Sequence, residues 1–185
     1  MSVEMTADEA MNLLLAGNRR FRQRLAGVPT AGLRLYADQQ PYAAVLTCAD
    51  ARVAPETIFD EPLGRLFTVR SAGHVVDGAI LGSLEFAAAV LRVPLLVVIA
   101  HSDCGAVGAA WRGDKAPTNL TALLEAIRPV TREAPDPDEA ARRHARATIR
   151  FLSERSATLR ALDERGRLRL VAGFYNVADG GFAFI

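Results

Sequence analysis

The sequence predicts an α/β fold, a central, mostly parallel β-sheet flanked by helices, and three observations carry that prediction. Short continuous apolar runs at 42–47, 66–70 and 95–100 have the length and lack of alternation of strands buried on both faces. Between the second and third runs, Ala79 to Leu91 is rich in Ala and Leu and reads as a crossover helix; strand, helix, strand in succession makes a parallel sheet. The 185 residues, half of them hydrophobic, contain no internal repeat and no dividing linker, so one domain spanning 1–185 is expected.

The elements follow in order. Thr6-Ala7-Asp8-Glu9 is a capping-box pattern, and Ala10, Leu13, Leu14 and Phe21 recur behind it at helical spacing, so a first helix ends before the Gly27-Val28-Pro29 turn. The run Tyr42 to Thr47 follows Pro41 and delivers Cys48 at its C-terminal end. Leu66 to Arg70 and Leu95 to Ala100 are the next strands, with the crossover helix between them. Ala106 to Trp111 and Leu120 to Ile127 are helical and lead to a Pro-rich turn at Ala134 to Pro137. A long charged helix from Pro137 to Glu164 then stops near Gly166. Its Arg and Glu residues read as a solvated face, and His144, with no ligand-type neighbour at matching spacing, is placed facing solvent. Trp111 is expected to pack a helix against the sheet. Leu168 to Tyr175 is the last clear strand, and Phe182 to Ile185 adds an edge.

Composition excludes several functions. The formal charge is only +1 and basic residues alternate with acidic ones, which leaves no electrostatic footprint for nucleic acid. The strongest apolar stretch, Val93 to Ala100, is too short to cross a bilayer and is broken by Pro94, so no membrane partner is expected. Glu4, Asp8 and Glu9 leave no cationic region ahead of an apolar one, so no signal peptide is read and the chain is placed in the cytoplasm.

The two cysteines carry the chemistry. Cys48 lies in Cys48-Ala49-Asp50-Ala51-Arg52, and Cys104 lies in His101-Ser102-Asp103-Cys104-Gly105. A disulfide is disfavoured in a chain with a full core and no sign of export. Buried inert thiols are the other plain reading, but two unrelated core cysteines would not usually each carry a possible ligand within three positions. Thiolate and imidazole suit Zn2+, whose site needs four ligands, or three and an open position. Cys48, His101 and Cys104 supply three. Asp50 either reaches the metal as a fourth or swings away to Arg52.

The run Cys48 to Arg52, with Val53, Pro55, Glu56 and Ile58-Phe59-Asp60 after it, resembles the beta class of carbonic anhydrases. So do Phe67 to Gly73, Gly82 to Phe86 and His101 to Val107, in register from about Thr6 to Ile185. The resemblance implies a zinc lyase that hydrates carbon dioxide reversibly to bicarbonate and a proton by attack of zinc-bound hydroxide. Two anionic thiolates should make the bound water less acidic and push activity toward alkaline pH. Asp50 and Arg52 resemble the family's dyad, in which the arginine holds the carboxylate off the metal as a hydrogen-bond acceptor; a plain surface salt bridge is the alternative. The resemblance also makes Gln39, with Gln40 as its alternate, a donor to substrate oxygen. It gives Phe67, Ala72 and Phe86 as walls of an apolar substrate pocket, although each is also an ordinary core residue type. The Gly105 N–H is a candidate oxyanion-type contact. A homodimer or homotetramer is implied, with the N-terminal helix packing on a partner subunit and Gln39 and Phe86 lent across the interface.

The chain departs from the family pattern at several positions. His74 stands where relatives commonly have Asn; it either hydrogen-bonds as the amide does or relays protons. Phe86 replaces a frequent Tyr. Val45 and Ala89 stand where some bacterial relatives use Trp and Tyr to bind inhibitory bicarbonate, and Arg70 alone does not make that site. No bicarbonate inhibition is expected, with Asp50 held by Arg52 at alkaline pH and coordination to zinc still open at lower pH. Two other functions fit the same residues: a hydrolase of carbon disulfide or carbonyl sulfide, and a noncatalytic zinc-binding module whose fourth position is filled.

Overall fold

Where the strands stop decides where the chemistry sits. A computed structural model describes residues 7–26 and 39–185. These fall in two compact units, Met1–Asp38 and Gln39–Ile185. The first is represented by helix α1 (Ala7–Ala26), on which Met11, Leu13 and Leu15 are exposed. The expected cap at Thr6 and the turn at Gly27 to Pro29 lie outside the described residues.

The second unit runs β1 (Ala43–Cys48), α2 (Pro55–Ile58), β2 (Leu66–Ser71), α3 (Gly78–Glu85), β3 (Leu95–His101), α4 (Gly105–Arg112), α5 (Thr118–Thr131), α6 (Pro137–Arg155), α7 (Ala157–Glu164), β4 (Arg169–Tyr175) and β5 (Phe182–Phe184). Its sheet has the order β2-β1-β3-β4-β5. The first four strands are parallel and β5 is antiparallel to β4. Because β1 leads outward to β2 on one side and the chain then returns to β3 on the other, the order reverses between β1 and β3. Crevices beyond the carboxyl ends of strands at such a reversal are where open α/β sheets bind ligands. Cys48 ends β1 and His101 ends β3.

Alternation along these strands builds two apolar layers. Ala44, Leu46, Leu96 and Val98 face the larger one, with Leu84, Val107, Ile127, Leu152 and Leu159 from the helices. Ala43, Val45, Val97 and Ile99 face the smaller, with Phe59 and Phe182 packed edge to face at 5.0 Å. Thr47, buried among them, is satisfied by donating its hydroxyl to Ile99 O at 3.3 Å.

Two expectations need correction. The charged helix read as Pro137 to Glu164 is two helices, because Ser156 adopts extended backbone (φ −113°, ψ 107°). Its hydroxyl accepts from Leu159 N at 3.0 Å and donates to Glu85 at 2.5 Å, capping α7 and tying it to α3. Trp111 packs on the larger core, to which strands and helices both contribute, and donates its indole N–H to Ala134 O at 2.9 Å, which also joins α4 to the turn before α6.

His144, placed in solvent by the sequence reading, is only 6% exposed. It belongs to an inner face of α6 made of Ala140, Ala141, Ala145, Thr148 and Leu152. Its ring stacks on that of His74, with centroids 4.4 Å apart and planes 30° apart. Its Nε2 lies 3.0 Å from Gly73 O, and since a carbonyl only accepts, the ring donates. Both ring nitrogens of buried His74 lack a partner among the described residues. The expectation that His74 hydrogen-bonds as an amide is therefore not met by any described group.

Burial pushes both imidazoles down, His144 from 6.5 to about 4. Each is therefore neutral in the folded chain near pH 7. Below about pH 6.5 the unfolded chain takes up a proton that folded His144 refuses; its contribution to stability is full above that pH and is lost as pH falls toward about 4. The loss should be on the order of 3 kcal/mol. Urea unfolding of metal-free protein at about pH 7 and about pH 4.5 should show a steeper decline for the native sequence than for His144→Phe; equal declines would refute it.

Candidate metal centre

Cys48 ends a strand whose neighbours exclude water, and its sulfur is already being solvated by backbone: Asp50 N lies 3.4 Å and Gly73 N 3.3 Å from Sγ. Cys104 caps the N-terminus of α4, placed there by the tight turn Ser102-Asp103, in which Asp103 takes a left-handed φ of 54°. That turn is held from β4, because Ser102 N donates to Tyr175 O at 3.0 Å and Ser102 Oγ bridges Asn176 Oδ1 and Val177 N.

His101, 1% exposed, has Nδ1 at 2.9 Å from Ser102 O. A carbonyl requires a donor, so the proton is on Nδ1 and the Nε2 lone pair is free. That Nε2 is buried with no hydrogen-bond partner among the described residues. A ligand atom from each of Cys48, His101 and Cys104 lies within 4.8 Å of the other two.

The two sulfurs are 4.0 Å apart, nearly twice a disulfide bond length, and both cysteines are free. Two thiols this close cannot both ionise unaided. Hydrogen bonding from Cys104 pulls the Cys48 thiol well down, with burial opposing and the backbone N–H groups of Asp50 and Gly73 assisting. The same contact, with burial and the Cys48 charge, pushes Cys104 upward. The pair thus holds one proton where a divalent cation would release it. Two sulfurs and an orphaned imidazole nitrogen, all buried, fit zinc.

Asp50 is engaged elsewhere. Its Oδ1 accepts from Arg52 N at 2.9 Å and Nε at 3.0 Å, and its Oδ2 from a terminal guanidinium nitrogen at 2.8 Å. This fork holds the Asp50 carboxyl well below the usual carboxylate range. Arg52 also donates to Asp103 Oδ2 at 2.9 Å and Asp103 O at 3.1 Å, so one guanidinium ties the Cys48 loop to the Cys104 loop. Of the alternatives open for Asp50, the structure shows the carboxylate on Arg52.

Arg70 was not picked out as part of the centre by the sequence. Its Nε donates to Cys48 O at 3.0 Å and a terminal nitrogen to Asp50 O at 2.6 Å, bracing the backbone on which Cys48 and Asp50 sit. Val45 is buried in the smaller core, and Ala89 is exposed.

The other named residues are more scattered in character. Phe67 is half-buried with its ring 6.1 Å from that of Phe86, and Phe86 is 44% exposed at the start of a π-helical turn that continues α3. Ala72 is exposed and directly precedes Gly73. Gly105 opens α4 beside Cys104, and Gln39 is exposed.

A family model described as carbonic anhydrase matches residues 43–182. The chain is 39% identical over 191 aligned residues to carbonic anhydrase 2 of Mycobacterium tuberculosis, covering 92% of this chain and 89% of that one. Among solved structures, the beta-carbonic anhydrase CafA of Aspergillus fumigatus superposes with a TM-score of 0.80 at 27% identity, covering 95% of this chain and 90% of that one. One of the tetrameric beta-carbonic anhydrases of Sordaria macrospora shares the fold, with a TM-score of 0.82 at 22% identity and coverage of 95% and 96%. Sequence and fold agree with the donor set described above: the chain belongs to the carbonic anhydrase family, in its beta class.

Proposed function

We propose that this carbonic anhydrase hydrates carbon dioxide reversibly to bicarbonate and a proton, with zinc held by Cys48, His101 and Cys104. The single observation that carries the zinc assignment is the convergence of three buried donors on one point, with His101 Nε2 left without any other partner among the described residues. Zinc in such a cradle supplies Lewis acidity, which lets water provide a nucleophile near neutral pH.

The protein's part is to hold and orient. Ser102 O fixes the His101 tautomer. The Gly73 and Asp50 N–H groups carry part of the Cys48 charge. Arg52 turns Asp50 into a fixed acceptor, kept ionised and held on the guanidinium. In that position Asp50 accepts a hydrogen bond from the nucleophilic oxygen and aims its lone pair at the substrate carbon. Phe67, Phe86 and Ala72 offer an apolar wall for an apolar substrate, and Gln39 and the Gly105 N–H are assigned to substrate oxygen. We assign a cytoplasmic homodimer or homotetramer; the tetramers named for Sordaria macrospora support an oligomer.

Protein of measured metal content should bind about one zinc per chain and hydrate carbon dioxide in a stopped-flow assay. Activity should disappear on chelation and return with zinc. Hydration should exceed hydrolysis of carbon disulfide; the reverse order would assign the centre to that substrate, and zinc-loaded protein inert toward both would make it a noncatalytic module.

Arg52→Ala removes both the fork on Asp50 and the tie to Asp103. Turnover should fall about 10- to 100-fold or more with zinc still bound. Arg52→Lys, a point charge without the fork, should recover little of it. An Arg52→Ala enzyme with unchanged turnover would end the assignment of Asp50.

A further inference from the structure

We propose that His144 on α6 is a positioning residue for the metal centre: its ring N–H holds the Gly73 carbonyl, and the turn so fixed keeps the Gly73 N–H on Cys48 Sγ. The inference rests on the reading of Cys48 as a zinc ligand.

The turn 72–74 is not one the backbone adopts freely. Gly73 has φ 59° and His74 φ 45°, two successive residues in the left-handed region. For His74, which has a Cβ, that conformation is unfavourable and persists only where the surroundings impose it. Space is tight there as well, since a Cβ on Gly73 would lie 2.8 Å from Ile127 Cδ1 and 3.2 Å from Ala106 Cβ and push on both.

The restraints on this turn come from both ends. Ser71 Oγ donates to Val75 O at 2.7 Å, and Val75 N donates to Ala72 O at 3.4 Å. At the centre, His144 Nε2 donates to Gly73 O at 3.0 Å, and its ring lies on that of His74 at 4.4 Å. The outcome is a Gly73 N–H aimed at Cys48 Sγ, 3.3 Å away. Without His144 the Gly73 carbonyl would be a buried acceptor with no partner, and the turn would relax toward one.

An N–H group pointing at a thiolate withdraws part of its charge. Sulfur then donates less to the metal, and the metal stays a stronger Lewis acid. Loss of the contact should make Cys48 a more basic ligand, open to proton-assisted release of the ion.

Two variants separate the donor from the packing. His144→Phe keeps an aromatic ring on His74 but has no N–H; His144→Gln places an amide N–H where Nε2 stands but has no ring. Zinc-loaded and cobalt-substituted proteins are compared by zinc release to a chromogenic chelator, by the thiolate-to-cobalt absorption band and by the pH midpoint of turnover. For His144→Phe we expect zinc release faster by about 10- to 100-fold, a displaced band and a midpoint moved to higher pH. His144→Gln should restore all three toward the native values. Leu152→Ala, a buried truncation on the same helix, should lower stability and leave the band and the midpoint in place.

An unchanged band and release rate in His144→Phe would overturn the inference, because a purely structural ring would be the simpler account. So would a displaced band that His144→Gln fails to restore. Native protein that takes up neither zinc nor cobalt would instead overturn the metal reading itself.

Discussion

Everything distinctive about this molecule follows from two adjacent parallel strands ending where water is excluded. β1 and β3 pair in register from Ala43 and Leu95 to Thr47 and Ile99, so the residues that finish them, Cys48 and His101, emerge at adjoining strand ends with His101 one position further along. A third donor, Cys104, arrives through a single tight turn and the start of α4. The result is an electrostatic deficit built into the sheet, with two sulfurs 4.0 Å apart that share a proton and an imidazole nitrogen that faces no partner. A buried cluster of this kind is unfavourable by itself and is relieved by a cation. The remaining loops can be understood as ways of keeping that deficit in place.

Two arginines do most of the holding, each by a different means. Arg52 acts through its planar fork, gripping Asp50 and reaching across to Asp103, so the two ligand-bearing loops move as one. Arg70 grips main-chain oxygens of Cys48 and Asp50. Both are exposed, and the ion pairs of Arg52 add little to global stability. Their value lies in geometry, because a fixed acceptor beside a ligand cluster is useful only if it does not wander.

Much of this was legible in the residues. Continuous apolar runs marked the parallel strands, and the chemistry of Cys48, His101 and Cys104 marked the donors, because strand burial and ligand type are both properties of side chains. What the chain hid was hidden for physical reasons. The inner face of α6 is built from Ala140, Ala141, Ala145, Thr148 and a single Leu152, a stripe so weakly hydrophobic that the charged residues around it dominate the pattern. His144 lies on that stripe, at helical spacing from Ala141 and Thr148, and was assigned to solvent for want of a ligand partner. The break at Ser156 was concealed because serine is tolerated inside helices; its capping role depends on a carboxylate 71 residues earlier in α3. Arg70 reads as an ordinary strand charge, since its partners are backbone oxygens that no side-chain pattern displays.

The support given to the His101–Cys104 turn by β4 has a consequence for biosynthesis. Cys104 precedes Tyr175 by 71 residues, so all three donors leave the ribosome ahead of the segment that braces Ser102 through Tyr175, Asn176 and Val177. For that interval the nascent chain carries two close-spaced thiols with no finished wall around them. Thiols in that state are open to oxidants and stray soft metals until the sheet closes.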